Sequence, residues 1–559
     1  MKQKLRVIDF FCGAGGFSEG FRQQEFDVVM GIDNWSSAVD THNFNHNLND
    51  KKKDVLDFGS SVEQINNLPD TEVIIGSPPC VLFSFSNRGG KSEKTLGINL
   101  IESFLRVVAV KKYQRSSKLI AWFMENVPNS RNYIKPTYSF KDLNLEAWAK
   151  QHGFNPKKNA LSVNLNGDII NAADFGVPQK RERFVCGEIV NTGKFPDLSE
   201  FKKIEHRSLG NIRKDMPPPN MRRTNKLFSD PNYPQLKLMA NDISDHFYDT
   251  GVYENQWQLA KYTKVNHPFM GKMAFPEDSA NPSRTIMATR SVITREALVY
   301  TSEHKRKGDG EYRLPTIREV ATLMGFPYSY QFSGGETTKW RQIGNAVCPQ
   351  IAAALAKSVR RTLGLKAIPD QSIKFNRFRK TISPFENLNS FSKKRFDNPP
   401  KKNPNAKFRK HPFKGGNMTV ALTNFNPLNP TNKSIKWHSF LFMGAGRGFL
   451  IKAIPKNEFK ELAKIIESYH SHQGKKFITE FDKKFRKTIG NVHKFQEAYV
   501  GGKALAAYNP TNLIEEIANF ILIHEPDEKY MKLPSLIPEK DMIPSKHVLA
   551  MYAINRIVS

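Results

Sequence analysis

The first 190 residues of this chain predict an α/β fold, a largely parallel sheet doubly wound by helices. Three observations carry that reading. Strand-like and helix-like segments alternate, a glycine-rich turn closes the first strand, and an acidic residue closes the second.

Each element follows from its residues. "LRVIDFF" (5–11) is a short apolar run of strand character, and "DFFCGAGGFSEGF" follows, with Gly13, Gly15 and Gly16 allowing a tight turn and a helix start. "FDVVMGID" (26–33) is the second strand and ends on Asp33, about twenty residues past the glycine turn. In this architecture an acid there accepts hydrogen bonds from a ribose, so a nucleoside-bearing cofactor is expected. "SSAVDTHNFNHN" (36–47) and "NLIESFLRVVAVKKY" (99–113) repeat their apolar residues at helical spacing. "EVIIGS" (72–77) is a buried strand that the following prolines end, so Cys80 sits just past its C-terminal edge, where open sheets of this kind place their chemistry. "LIAWFMENV" (119–127) sets Glu125 and Asn126 on the same rim. In "NAADFGVPQKRERFVCG" (171–187), Arg181 and Arg183 stand two apart. In an extended segment they therefore share a face and could grip a base oxygen or a phosphate.

Composition narrows the function. The chain has 559 residues, enough for two to four domains, and 39% of them are hydrophobic, enough for packed cores. No run of eighteen apolar residues and no signal-peptide pattern is seen, so a soluble cytoplasmic protein without membrane contact is expected. Four cysteines (Cys12, Cys80, Cys186, Cys348) without CxxC spacing encode neither a disulfide framework nor a zinc ribbon, and no metal site is expected. A net charge of +30 points to a polyanion, most simply nucleic acid.

The ordered blocks "DFFCGAGGFS", "GIDNW", "GSPPCVLFS", "FMENV", "NAADFGVPQKRER", "NPSRTI" and "RQIGNAVCP" resemble the DNA cytosine-5 methyltransferases, over roughly residues 5 to 365. The resemblance implies a Rossmann-like catalytic domain and S-adenosylmethionine as methyl donor. It implies that Cys80 adds as thiolate to cytosine C6 so that C5 can take the methyl group. Glu125 then holds N3 and the exocyclic amine, Arg183 the O2, with Arg181 and Gln179 supporting them. It assigns Phe11, Gly13, Gly15, Asp33, Asn34, Asp54, Pro79, Leu100 and Asn345 to the cofactor. The base must leave the duplex, and "SFSNRGG" (84–90) suits a loop that closes on DNA. Val81 departs from the glutamine common in the family after the cysteine. That leaves open which residue fills the gap of the flipped base. The partners implied are double-stranded DNA and, in a restriction-modification system, a cognate restriction endonuclease, with the protein a monomer associated with the nucleoid.

The expected organisation is a catalytic domain over 1–190, completed by a helix within 344–365 in which Cys348 is core, and a target-recognition domain over 191–343. A basic linker over 366–417 and a C-terminal α/β or α+β domain over 418–559 complete the chain. Residues 371–417 hold thirteen Lys or Arg against two acids, with phenylalanines interleaved, as suits a flexible segment on phosphates. For the last domain, an accessory DNA-binding role, a nuclease and a partner-binding module stay open. "EFK" at Glu458 and "DKK" at Asp482 are the carboxylate–lysine pairs a nuclease would need. Two other readings of the whole chain are an enzyme methylating the exocyclic amine (N4 or N6) of a base, and a non-catalytic DNA-binding protein. "SPPC" lacks the aromatic residue that the first requires, and the second would be expected to lose Cys80 or Glu125.

Overall fold

The computed structural model describes residues 4–79, 94–222, 224–265, 272–308, 310–375, 410–415, 418–424, 437–443, 450–485, 510–525, 527, 529–533 and 542–559. The chain divides into two compact units. One comprises Met1–Val252, Leu259–Lys305 and Glu311–Ser390, the other Tyr253–Gln258, Arg306–Gly310 and Phe391–Ser559.

In the first unit, β1 (Arg6–Phe10) pairs in parallel with β2 (Asp27–Ile32) and β3 (Val73–Gly76), and β3 pairs in parallel with β4 (Ala121–Asn126). Each strand lies inside the apolar segment that predicts it. Beyond β4 the sheet reverses: β5 (Gly167–Asn171) and β6 (Glu182–Ile189) complete the order β2-β1-β3-β4-β6-β5, with β6 antiparallel to both neighbours. The sheet is therefore mixed, parallel in four strands and antiparallel at one side.

Helices cover both faces, as the near-continuous apolar strands require. Ile8, Ile74 and Trp122 face α3 (Lys94–Tyr113), whose Ile101, Phe104 and Leu105 fill the same core. Val7, Val73, Ile75 and Phe123 face the other way, toward Phe17 and Phe21 of α1 (Gly16–Gln23). The chain's later helix α5 (Pro349–Thr362), which follows α4 (Glu336–Asn345), returns to this face. Gly20 makes that return possible, because a Cβ there would lie 2.6 Å from Ala353 N and run into Pro349 and Ala352. Between β2 and β3, α2 (Ser36–His46) packs beside the glycine turn. Cys348 is buried in this core, as expected.

Two boundaries differ from the expectation. Residues 366–375 do not start a loose linker: Gln24 accepts from Ile368 N and donates to Ile368 O, and Ile373 is buried. Residues 376–409, the bulk of the expected linker, lie outside the described residues. The second unit's sheet starts at β7 (Lys410–Gly415), eight residues before Met418, because β7 pairs with β8 (Met418–Thr423) along its whole length. Its Pro412 hid it, and the sheet order explains how a proline is tolerated: β7 is an edge strand.

The rest of the second unit continues the antiparallel sheet with β9 (His438–Met443) and β10 (Leu450–Ile454). Among the described residues three helices follow, α6 (Phe459–Phe485), α7 (Pro510–His524) and α8 (Ser545–Val558). Val420 and Leu441 share one core with Phe477, Phe481, Ile517 and Leu549 of those helices, so this unit is α+β.

Candidate active site

The site grows from the C-terminal edge of the parallel strands. After β1 the backbone turns sharply, with Phe11 at φ 55° and Gly13 at φ 51°, and Gly15 N donates to Cys12 O to close the turn before α1. A non-glycine residue in the left-handed region is strained, and such strain gathers at functional sites. Asp33 at the end of β2 pins this turn: Oδ2 accepts from Gly13 N at 3.0 Å and Oδ1 from Trp35 N at 2.8 Å. Burial lifts its carboxyl above the usual range, while the amides of Trp35, Gly13 and Asn34 pull it back.

A cavity of about 430 Å³ opens there, within the size range of small-molecule sites. Eight of the nine residues assigned to the cofactor line it: Phe11, Gly13, Asp33, Asn34, Asp54, Pro79, Leu100 and Asn345. They come from six separate stretches of chain and converge only in the fold. Asp54 also caps a short turn, accepting from Leu56 N at 3.0 Å. Gly15 is the exception. It faces away from the cavity, where a Cβ would lie 2.5 Å from Tyr330 Oη and 3.0 Å from the His42 and His46 rings. At φ 82° its task is to let the turn close against those side chains.

Glu125, Arg181 and Arg183 line the same cavity. Arg183 Nε stands 3.0 Å from Glu125 Oε1, and both side chains are largely buried. Burial raises the Glu125 carboxyl above its ordinary range, and the Arg183 and Arg181 charges only partly offset this. Arg181 is used differently from the expected grip on a base. Its guanidinium donates to the carbonyls of Ile286, Gly344 and Ala346, tying the residue just before β6 to Ile286 and to the C-terminal end of α4. Gln179 does likewise, accepting from Ile286 N and donating to Leu323 O. Both are braces for the wall that carries Arg183.

Cys80, Val81 and the loop 84–90 lie outside the described residues. The approach to Cys80 is described as far as Pro79. Ser77 N donates to Phe10 O and its Oγ to Phe11 O, while Asn126 Nδ2 donates to Pro78 O at 3.1 Å. The other three cysteines, Cys12, Cys186 and Cys348, are free and buried, and burial pushes each thiol up, Cys348 to about 11. None of those three is suited to act as a thiolate.

Sequence reasoning missed Asn126 as a brace, and among the lining residues it left unassigned are Trp35 and Arg341. Each stands inside a quoted block, "GIDNW" or "RQIGNAVCP", which is the signal that could have flagged it. In the second unit, Asp482 is clamped by Arg556, whose Nε and Nη2 each lie 3.0 Å from its oxygens, and Glu458 sits in the short turn Lys456–Glu458. Among the described residues no group of three or more His, Cys, Asp or Glu could hold a metal, and no helix is long and apolar enough to cross a membrane.

Comparison with known proteins places these features in context. The family model "C-5 cytosine-specific DNA methylase" matches residues 5–361. The chain is 26% identical over 376 residues to the type II methyltransferase M1.HphI of Haemophilus parahaemolyticus, covering 64% of this chain and 86% of that protein. It is 28% identical over 382 residues to M.NgoFVII of Neisseria gonorrhoeae (64% and 86%) and 24% over 372 residues to M.MthTI of Methanothermobacter thermautotrophicus (64% and 98%). Among solved structures, the Dnmt2 methyltransferase of S. pombe superposes with a TM-score of 0.41 at 18% identity, over 65% of this chain and all of that one.

Proposed function

The chain belongs to the C-5 cytosine-specific DNA methylase family, and from that premise we propose that the cavity at the edge of β1–β4 binds S-adenosylmethionine beside a flipped cytosine. As a member of the family, the chain transfers a methyl group to C5 of cytosine in DNA. The exocyclic-amine reading is thereby set aside.

One observation carries the site assignment. A single cavity brings Phe11, Asp33, Asp54 and Asn345 together with Glu125 and Arg183. The Phe11 ring offers a face for adenine, Asp33 and Asp54 offer acceptors for ribose hydroxyls and an exocyclic amine, and Gly13 lets the backbone approach. When bound, S-adenosylmethionine supplies the electrophilic methyl group.

The chain's own residues do the rest. Cys80, just past Pro79, attacks C6 as the thiolate, which pushes electrons onto N3 and O2 and makes C5 nucleophilic. The carboxyl of Glu125, whose pKa burial raises, is suited to donate a proton to N3, and its other oxygen accepts from the amine. Arg183 donates to O2, where negative charge also develops. Arg181, Gln179 and Asn126 are positioning residues that fix these groups. Extrusion of the base costs on the order of a few kcal/mol, offset by these contacts.

Residues 191–343 act as the target-recognition region, reading base edges in double-stranded DNA. The basic segment and the second unit add phosphate and DNA contacts. We further propose that the protein guards DNA against a cognate restriction endonuclease, as a cytoplasmic monomer on the nucleoid. Bisulfite sequencing of DNA from cells producing the chain tests this: C5 modification at one recurring sequence is expected, and none with Cys80→Ser. Modification persisting in that variant would overturn the role of Cys80.

A further inference from the structure

Among the described residues three arginines line the cavity, and two have their donors engaged. Arg181 donates to Ile286, Gly344 and Ala346, and Arg183 is paired with Glu125 and donates to Glu182 O. The third, Arg341, makes no hydrogen bond or ion pair with any described residue. Its guanidinium carbon lies 4.9 Å from the centroid of the Trp35 ring.

That contact joins two segments 306 residues apart, and both partners face the same cavity. Trp35 is itself fixed, because its backbone N–H donates to Asp33 Oδ1. A ring face orients a guanidinium without consuming its N–H donors, which radiate in the plane of the group. Asn345, another lining residue, stands one turn further along α4, on the same side of the helix as Arg341. The cavity thus holds an oriented cation with its donor fork open.

The methyl donor carries one carboxylate, on its amino-acid end, along with an ammonium and a sulfonium. Asp33, Asp54 and Glu125 suit its hydroxyls, amines and the target base, and none suits a carboxylate. We propose that Arg341, oriented by Trp35, anchors the carboxylate of S-adenosylmethionine. The proposal rests on the cavity being the cofactor site. A fork of N–H donors matches a carboxylate in two parallel hydrogen bonds, a geometry a lysine cannot reproduce. Anchoring that end fixes where the adjoining sulfonium, and so the methyl group, can lie.

Calorimetry on the full-length protein separates the possibilities. The ligands are S-adenosylhomocysteine and 5′-methylthioadenosine, which share the adenosine and thioether but differ in the amino-acid end. Arg341→Gln is expected to weaken S-adenosylhomocysteine about tenfold to a hundredfold, the loss of a charge-assisted pair. Binding of 5′-methylthioadenosine should stay within about twofold, which also shows the variant is folded. Trp35→Leu should give a smaller loss of the same selectivity. Equal weakening of both ligands, or of neither, would overturn the proposal. So would a variant that binds S-adenosylhomocysteine normally but loses about one unit of salt slope on DNA, since Arg341 would then serve a phosphate. If the unaltered protein binds no S-adenosylhomocysteine, the cofactor reading of the cavity fails first, an outcome distinct from failure of Arg341 alone.

Discussion

Arg183 Nε and Glu125 Oε1 stand 3.0 Å apart across the antiparallel pair β4–β6, where Glu125 is opposite Val185. Residues two apart share a face, so the reversal of the sheet after β4 is what brings Arg183 alongside Glu125. Without a base Glu125 Oε1 makes no hydrogen bond to a described residue although it lies beside the guanidinium, and a cytosine would come between the two, N3 meeting the carboxyl and O2 the guanidinium. Glu125→Gln keeps the shape and removes the transferable proton. The expected result is a fall in kcat of about 10²- to 10⁴-fold, with S-adenosylhomocysteine affinity within about threefold. Methyl-transfer assays and calorimetry check the two halves separately. The proton also sets a pH limb: activity resting on the protonated acid declines as pH rises through its raised pKa, and Glu125→Gln should lack that decline.

Stability toward acid should be governed in part by two histidines behind the glycine turn. Burial drives the His42 pKa well below the usual value, with the His46 charge adding to this, and it drives His46 to about 3, with Arg22 adding. Both are neutral in the fold, whereas the unfolded chain takes up protons below about pH 6.5. Their contribution is fully present above that value and is lost as pH falls toward 3. Asp9, raised to about 7 by burial despite the hydrogen bond it accepts from Ser18, has the opposite sign: its contribution is lost as pH rises through 7. Urea midpoints at pH 7 and pH 5 should therefore differ less in His46→Gln than in the unaltered protein. An unchanged difference would mean that His46 titrates normally.

The seam between α1 and α5 leaves no room for a side chain at Gly20, where a Cβ would meet Pro349 O, Ala352 Cβ and Ala353 N. Gly20→Val should overpack it by about 1–3 kcal/mol or more. The thermal midpoint of the first unit should fall by roughly 1–4 °C. Because α5 follows directly on Asn345, Ala346 and Val347, which line the cavity, the same change should loosen that cavity. S-adenosylhomocysteine should then stabilise the variant less than the unaltered protein.

The strands β1 to β4 were legible because each is an apolar run closed by glycine, aspartate or proline, and Phe11, Asp33 and Asn345 because they sit in motif blocks. Other features depend on partners far away in the sequence. Arg181 looks like a ligand-binding arginine until the carbonyls of Gly344 and Ala346 are found to occupy it. Gly15 looks like a cofactor contact, yet its missing Cβ makes room for Tyr330, more than three hundred residues on. Trp35 and Arg341 meet only once α2 and α4 are in place. β7 was hidden by its proline, which an edge strand tolerates and a central one does not.

Asn126 offers the sharpest test of how Cys80 is presented. The Asn126 side chain is fully buried: Oδ1 accepts from Val127 N at 2.8 Å and Nδ2 donates to Pro78 O at 3.1 Å, two residues before the thiol. Asn126→Asp is nearly isosteric and keeps the first bond, but it cannot make the second and sets two acceptors face to face. The segment leading to Cys80 then loses its tether to β4. A displacement on the order of 1 Å at a reacting group can slow a reaction about a hundredfold. Single-turnover methylation should fall by about that factor, with S-adenosylhomocysteine affinity within about threefold, because Asn126 does not line the cavity. Formation of the covalent complex with DNA carrying 5-fluorocytosine should slow in proportion. A variant that forms the adduct at the normal rate would show that Pro78 needs no such tether. Asn126→Ala, which removes the clashing acceptor as well as the donor, should recover part of the rate if repulsion contributes.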